Sequence, residues 1–261
     1  MDGVNKTLYI PLYGKAYVSR RGLFLRDESA ERIWDAAAFP LKGKARSKWL
    51  AYHMGMRAAV FDRWTARMLA EHPDAVVLHL GCGLDGRVSR VPHPGHLWYD
   101  VDFPEVICER RKYFAEGPED RMAAADVRQK VWLTEISGGG TAVVVMEGLS
   151  MYLQVEECRQ LLRDLADRFA SVHLLMDSYT VFGARATRYK NPINTVGVTQ
   201  VYGLDDPQEM AGDTGFRFVA EHTLTPEDLI GELPGGEQRF FRFFFAGKAA
   251  KKIYRLYEYE A

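Results

Sequence analysis

Between Ala45 and Glu71 the apolar side chains Trp49, Met56, Val60, Trp64 and Met68 recur at multiples of three to four residues, the spacing of one helix face. The pattern predicts a long helix, with Gly55 as a candidate break. Beyond it the period changes. The apolar or β-branched runs AVVLHL, HLWYDVD, TAVVVM and SVHLLMD read as strands, with a further strand expected just before Asp126. Helical stretches separate them, the clearest carrying Val155, Cys158, Leu162, Leu165 and Phe169 on one face. Strands alternating with helices predict an α/β chain whose parallel sheet is covered on both faces. Late in the chain FRFVAEHT and IYRLYEYE alternate as strands around a phenylalanine-rich helical segment, Phe240 to Phe245. They predict an antiparallel pair at one sheet edge.

Composition narrows the class of protein. With 261 residues, 47% of them hydrophobic, the chain can bury one large core, and no repeat or low-complexity linker divides it. The formal charge of −1 gives no overall field that would favour nucleic acid or an anionic membrane. Cys82, Cys108 and Cys158 are odd in number and lack a paired spacing, which argues against a disulfide framework and for a cytoplasmic setting. The N-terminal segment, broken by Pro11 and Gly14, does not read as a signal peptide, and no apolar run approaches the ~20 residues of a membrane span. A soluble protein with no membrane partner is expected.

The segment VVLHLGCGLDGR sets Gly81, Gly83 and Gly86 at the G-x-G-x-x-G spacing directly after a strand. Asp102 follows about 20 residues on, where a carboxylate commonly receives a ribose hydroxyl. Nicotinamide enzymes and methyltransferases share this arrangement. Asp85 separates them: an anion inside the turn would repel the pyrophosphate of a dinucleotide, whereas the ammonium and sulfonium of S-adenosylmethionine tolerate it. Asp126 and Glu147 follow the expected third and fourth strands, so that with Asp102 they are placed along the carboxyl ends of the sheet, where open α/β sheets bind ligands.

In order along the chain, GKAYVSR with Asp27 downstream, HMGMRAAVFD, LHLGCGLDGR, YDVDFPEV, AADVRQ and MEGLSMYL resemble the leucine carboxyl methyltransferase superfamily, in its branch of bacterial polyketide-type O-methyltransferases. The resemblance implies a class I, Rossmann-like methyltransferase: a mostly parallel seven-stranded sheet with an antiparallel C-terminal edge strand and helices on both faces. It implies one domain, with an N-terminal helical extension (1–72), a cofactor-binding core (73–180), a lid insertion after the fifth strand (181–215) and C-terminal strands and helix (216–261). It further implies S-adenosyl-L-methionine as cofactor. Lys15 and Arg57 would hold the methionine carboxylate, Gly81 and Gly83 would contact the amino-acid moiety, and Asp102, with Asp100 as its rival, would bind the ribose. Asp126 and Val127 would meet the adenine, Glu147 would contact the cofactor, and Tyr152 would face the transfer chamber as a positioning residue. Gly86 departs from the threonine of many relatives, and NPINTVGVTQVYGLDDPQEM holds no pattern for recognising a phosphatase C-terminus, which speaks against a protein substrate.

The residues themselves leave other assignments open. Arg57 shares its helix with Asp62 and Arg63 and could form only a surface ion pair, Lys15 could be solvated, and Tyr152 could be a core residue. Candidate bases are few, namely His53 and His173; His93 and His96 sit in a Pro/Gly loop with no further ligands, so no metal site is expected. The expected reaction is methyl transfer to a carboxylate, phenol or alcohol oxygen of a small, apolar metabolite, with the Phe240 helix as a candidate wall. A nicotinamide oxidoreductase and a non-catalytic protein that binds S-adenosylmethionine are the competing readings.

Overall fold

Side chains of successive strand residues point to opposite faces of a sheet, and the central runs VVLHL and TAVVVM are apolar on both faces apart from His79 and Thr141. The computed structural model describes residues 7–138, 140–187 and 200–261. Its strands are β1 (Val76–Leu80), β2 (Trp98–Asp102), β3 (Asp120–Ala124), β4 (Thr141–Met146), β5 (Ser171–Tyr179), β6 (Arg217–His222) and β7 (Tyr254–Glu260). They form one sheet in the order β3-β2-β1-β4-β5-β7-β6. Strands β1 to β5 run parallel, while β7 lies antiparallel between β5 and β6. The C-terminal pair thus completes one side of the sheet.

Around it stand α1 (Tyr9–Ser19), α2 (Glu28–Ala37), α3 (Lys48–Glu71), α4 (Arg87–Arg90), α5 (Pro104–Arg110), α6 (Val155–Arg168), α7 (Val181–Thr187), α8 (Gln208–Ala211), α9 (Glu227–Gly231), α10 (Gly235–Phe244) and α11 (Lys248–Lys251). The period of two sorts the strand residues between two cores. Val76, Leu78, Val144 and Leu174 meet Leu161 and Leu165 of α6, whereas Val77, Val143, Val145 and Leu175 meet Phe61, Trp64 and Met68 of α3.

The expected long helix begins at Lys48, after a short 3₁₀ turn (Gly43–Arg46), and passes through Gly55 without a break. Its glycine serves helix packing: a Cβ there would lie 2.7 Å from Cγ2 of Val18, so its absence lets α1 approach α3. Capping marks other boundaries. Asp27 accepts the Ala30 amide at 2.8 Å to start α2, and the amide of Gln154 donates to Glu157 at 2.7 Å as half of the capping box of α6. Residues 188–199, the middle of the expected lid, lie outside the described residues. The flanking Ala184 and Val201 pack on Met151, with Tyr152, Tyr179 and Tyr254 against them.

Candidate functional site

From β1 the chain proceeds to β2 and β3 on one side, and from β4 to β5 on the other, so the strand order reverses between β1 and β4. Beyond the carboxyl ends of these strands lies the crevice such a reversal creates. Gly81 and Gly83 leave β1 with φ of 67° and 52°, left-handed values that favour glycine. The Gly83 amide donates to Oδ2 of Asp102 and the Phe103 amide to Oδ1, both at 2.8 Å, which ties the glycine turn to the end of β2. Burial pushes the Asp102 carboxyl up to about 6, against the opposing pull of these two amides. Asp100, the rival, lies behind the site. Its carboxylate is taken by Arg110 at 2.5 Å, the His79 ring at 2.9 Å and the Trp98 indole at 3.0 Å.

A buried ion network closes the crevice from the α1 and α3 side. Lys15 on α1 meets Asp85 at 3.0 Å, and Asp85 also meets Arg90 at 2.8 Å and Arg87 at 3.4 Å. Burial opposes ionisation of Asp85, but Arg90, Lys15 and Arg87 outweigh it and hold its carboxyl well below the ordinary range. Arg90 continues to Asp27 and Asp62, and Arg87 to Asp62 and Glu147. Arg57 bonds Glu147 at 3.0 Å, Asp177 at 3.0 Å and the Tyr254 hydroxyl at 2.9 Å. That hydroxyl donates to Asp177 at 2.7 Å, while the Gly148 amide donates to the other Asp177 oxygen at 2.7 Å. Burial would raise the Glu147 carboxyl; Arg57 and Arg87 reverse this and lower it.

The network excludes two of the alternatives left open for Arg57 and Lys15. Arg57 is buried and turned to Glu147 and Asp177, while Asp62 serves Arg87 and Arg90 instead. Lys15 is buried and paired rather than solvated. Asp85 discriminates differently than its charge alone suggested, because its anion is already compensated. The stronger objection to a dinucleotide is that only the four-residue α4 follows the turn, too short to align a useful dipole toward a pyrophosphate.

All ten residues assigned from the sequence, Lys15, Arg57, Gly81, Gly83, Asp85, Asp102, Asp126, Val127, Glu147 and Tyr152, line one cavity of ≈ 880 Å³. Asp126 stands two residues past β3, and Arg128 grips its carboxylate at 2.6 Å. Burial raises the Tyr152 phenol, whose hydroxyl interacts with Thr7. Away from the strand ends the lining turns apolar, through Leu50, Met54, Met151, Leu224, Phe244 and Phe245. Thr7 and Leu8 close it beside α1.

The histidines separate clearly. His53 lines the cavity, and its Nε2 bonds the Phe245 backbone carbonyl at 2.9 Å. Burial lowers its basicity. His173 lies away from the cavity, stacked on His72 with centroids 4.1 Å apart. His93 bonds Val91 and Asp120, and Nε2 of His96 faces the His72 carbonyl. Asp177 and Tyr254 escaped the sequence reading. Asp177 stands near the end of β5 just as Asp102 ends β2, and that position was its available signal. Tyr254 is brought in only by the pairing of β7 with β5.

The sequence model of the leucine carboxyl methyltransferase family matches residues 13–166. The chain is 29% identical to the tetracenomycin polyketide synthesis O-methyltransferase of Streptomyces glaucescens over 235 residues, covering 89% of this chain and 87% of that protein. It is 28% identical to an S-adenosyl-L-methionine-dependent methyltransferase of Gibberella zeae over 177 residues, 59% of this chain and 57% of the other. Among solved structures, magnesium protoporphyrin IX methyltransferase from Synechocystis PCC 6803 shares the fold, with a TM-score of 0.50 and 15% identity over 89% of this chain and 94% of that one. With a family match over more than half of its length, the chain belongs to the leucine carboxyl methyltransferase family.

Proposed function

We propose that this protein transfers a methyl group from S-adenosyl-L-methionine to a carboxylate oxygen of a small, apolar metabolite. The observation that carries the proposal is one cavity with two characters: charged groups and glycine turns at the strand ends, and an apolar far wall. Its ≈ 880 Å³ stands near the top of the ~300–1,000 Å³ range of ligand pockets, which suits a cofactor and a small acceptor together.

The charge balance fits the cofactor. In the buried network Lys15, Arg57, Arg87 and Arg90 face the acids Asp27, Asp62, Asp85, Glu147 and Asp177, leaving one negative charge in excess when all are ionised. S-adenosylmethionine supplies an activated methyl group on a sulfonium and, with its ammonium and carboxylate, carries one net positive charge. Lys15 and Arg57 hold the methionine carboxylate, with Glu147 and Asp177 fixing the Arg57 guanidinium so that little orientational freedom is lost on binding. Gly81 and Gly83 admit the amino-acid moiety, Asp102 receives the ribose hydroxyls, and Asp126 with the Val127 amide meets the adenine. Tyr152 borders the transfer chamber, with Ala184 and Val201 packed beside it.

Methyl transfer is an in-line displacement, so alignment of acceptor oxygen and methyl group can supply ~7–11 kcal/mol of barrier reduction. A carboxylate is ionised near neutral pH and requires no base. A phenol or alcohol does, and His53 on the cavity wall is bonded through Nε2 to the Phe245 carbonyl and made a weaker base by burial. This favours the carboxylate.

Titration calorimetry with S-adenosylhomocysteine should give stoichiometric binding, weakened at least about tenfold in Arg57→Ala and in Asp102→Ala, each losing a charge-assisted hydrogen bond. Unchanged affinity in both variants overturns the site. With methyl-labelled cofactor, apolar aromatic acids should yield base-labile esters; labelling confined to phenols overturns the acceptor assignment. Binding of NADH without binding of S-adenosylhomocysteine would replace the whole reading.

A further inference from the structure

The whole-chain charge of −1 conceals a one-sided distribution. Between residues 238 and 255 stand Arg239, Arg242, Lys248, Lys251, Lys252 and Arg255, with no acid among them. Arg242 is paired with Glu227, and Lys251 and Arg255 with Glu221, whereas Arg239, Lys248 and Lys252 are exposed and have no acidic partner among the described residues. The same stretch exposes aromatic surface. On α10 only Phe241 is buried, against Tyr52 and Trp49, while Phe240 is 43% exposed, Phe243 79% and Phe244 54%. Their rings are contiguous, with centroids 4.7 Å apart for Phe240 and Phe244 and 4.8 Å for Phe243 and Phe244. Phe182 of α7 is 52% exposed beneath the Lys252 ammonium, 4.8 Å from its ring centre.

Adjacent exposed phenylalanines of this size mark an interaction surface rather than scatter. We infer that the α10 and α11 face docks on an anionic lipid surface, with Phe240, Phe243 and Phe244 entering the headgroup boundary and Arg239, Lys248 and Lys252 meeting lipid phosphates. Charge selects this occupant. A second copy docked two-fold through the same patch would bring these unpaired cations against their own equivalents, whereas an anionic bilayer complements both the apolar centre and its cationic border. The face is also continuous with the apolar end of the cavity, since Phe244, Ala249 and Ile253 belong to both. A lipid-dissolved apolar compound would therefore meet the cavity at the docking face itself. The membrane contact is peripheral: among the described residues no helix is long and apolar enough to cross a bilayer.

The test is sedimentation of the full chain with phosphatidylcholine vesicles, with and without phosphatidylglycerol. Binding is expected to the mixed vesicles alone and to fall as salt is raised. Each of Arg239→Gln, Lys248→Gln and Lys252→Gln should weaken it about fivefold, the worth of one surface cation near an anionic membrane. Phe243→Ser, outside the cavity lining, should weaken it about tenfold through lost apolar burial. Thermal unfolding of each variant establishes that it remains folded. Absence of sedimentation, equal binding to both vesicle types, or binding unaltered by all four substitutions would overturn the inference. So would a dimer of the free protein dissolved by Phe243→Ser, which would give the face to a second copy, or binding only to an acidic protein.

Discussion

Asp102 shows how one carboxylate can both build a site and limit the conditions in which it works. Its oxygens close the glycine turn through the amides of Gly83 and Phe103, and burial lifts its titration to about 6. A folded pKa above the ~3.9 of an unfolded aspartate means that the fold binds this proton more tightly than the open chain does. The stability cost of holding the anion is therefore present above pH 6 and disappears as pH falls toward 4. Under the proposed assignment ligand binding runs the other way, since the anion would receive the ribose hydroxyls. Affinity for S-adenosylhomocysteine should be level above about pH 7 and fall about tenfold per unit once pH drops below 6. Calorimetry across that range should find the slope absent in Asp102→Asn; the same slope in the variant would move the titrating group elsewhere. Residue types and strand-end positions were enough to nominate Asp102, Asp126 and Glu147 from sequence. Their partners were not legible. Asp62 is five residues from Arg57 on one helix, yet Arg57 turns to Glu147 and Asp177, because that pairing depends on where α3 lies over β4 and β5.

At the scale of elements, the strands and the helix α6 were legible because their apolar periods are local. Closely packed helices were not. Gly55 reads as a weak point when α3 is considered alone, and only the presence of α1 turns it into a contact surface. A Cβ at Gly55 would stand 2.7 Å from Val18 and 3.0 Å from Phe24, both from the segment that carries Lys15 toward the cavity. Gly55→Ala, despite the gain in helix propensity, should destabilise the protein by about 1–3 kcal/mol through overpacking. Val18→Ala in the same chain should recover part of that loss, giving a coupling term in a double-mutant cycle of urea unfolding. Strictly additive effects would show that the two helices do not press on each other at this point. The short α4 teaches the same lesson from the other side: the glycine spacing fits a dinucleotide fingerprint, but the one helical turn after it does not supply the anion site that fingerprint requires.

For the whole molecule, the decisive relation is between the sheet and the N-terminal layer above it. Leu8 lies over the glycine turn, where a Cβ on Gly83 would come within 2.8 Å of its Cδ2, and Lys15 is fastened to Asp85 below. The helix α1 is thus part of the site's wall, and opening it exposes both the apolar lining and an ion network that is costly to leave half-paired. A ligand that bonds Lys15 and Arg57 binds the closed form and not the opened one, so it must suppress the opening of α1 by mass action. Hydrogen exchange should register this directly. With S-adenosylhomocysteine at a hundred times its Kd, amides of Tyr9–Ser19 that exchange through local opening should slow about a hundredfold. Amides of Arg217 and Phe218, at the start of the edge strand β6 and outside the cavity lining, should slow much less in their local exchange. Equal protection of both elements would mean that the ligand stabilises only the global fold. Protection absent from α1, in a protein that calorimetry shows to be saturated, would mean that the ligand enters and leaves without this helix as a wall.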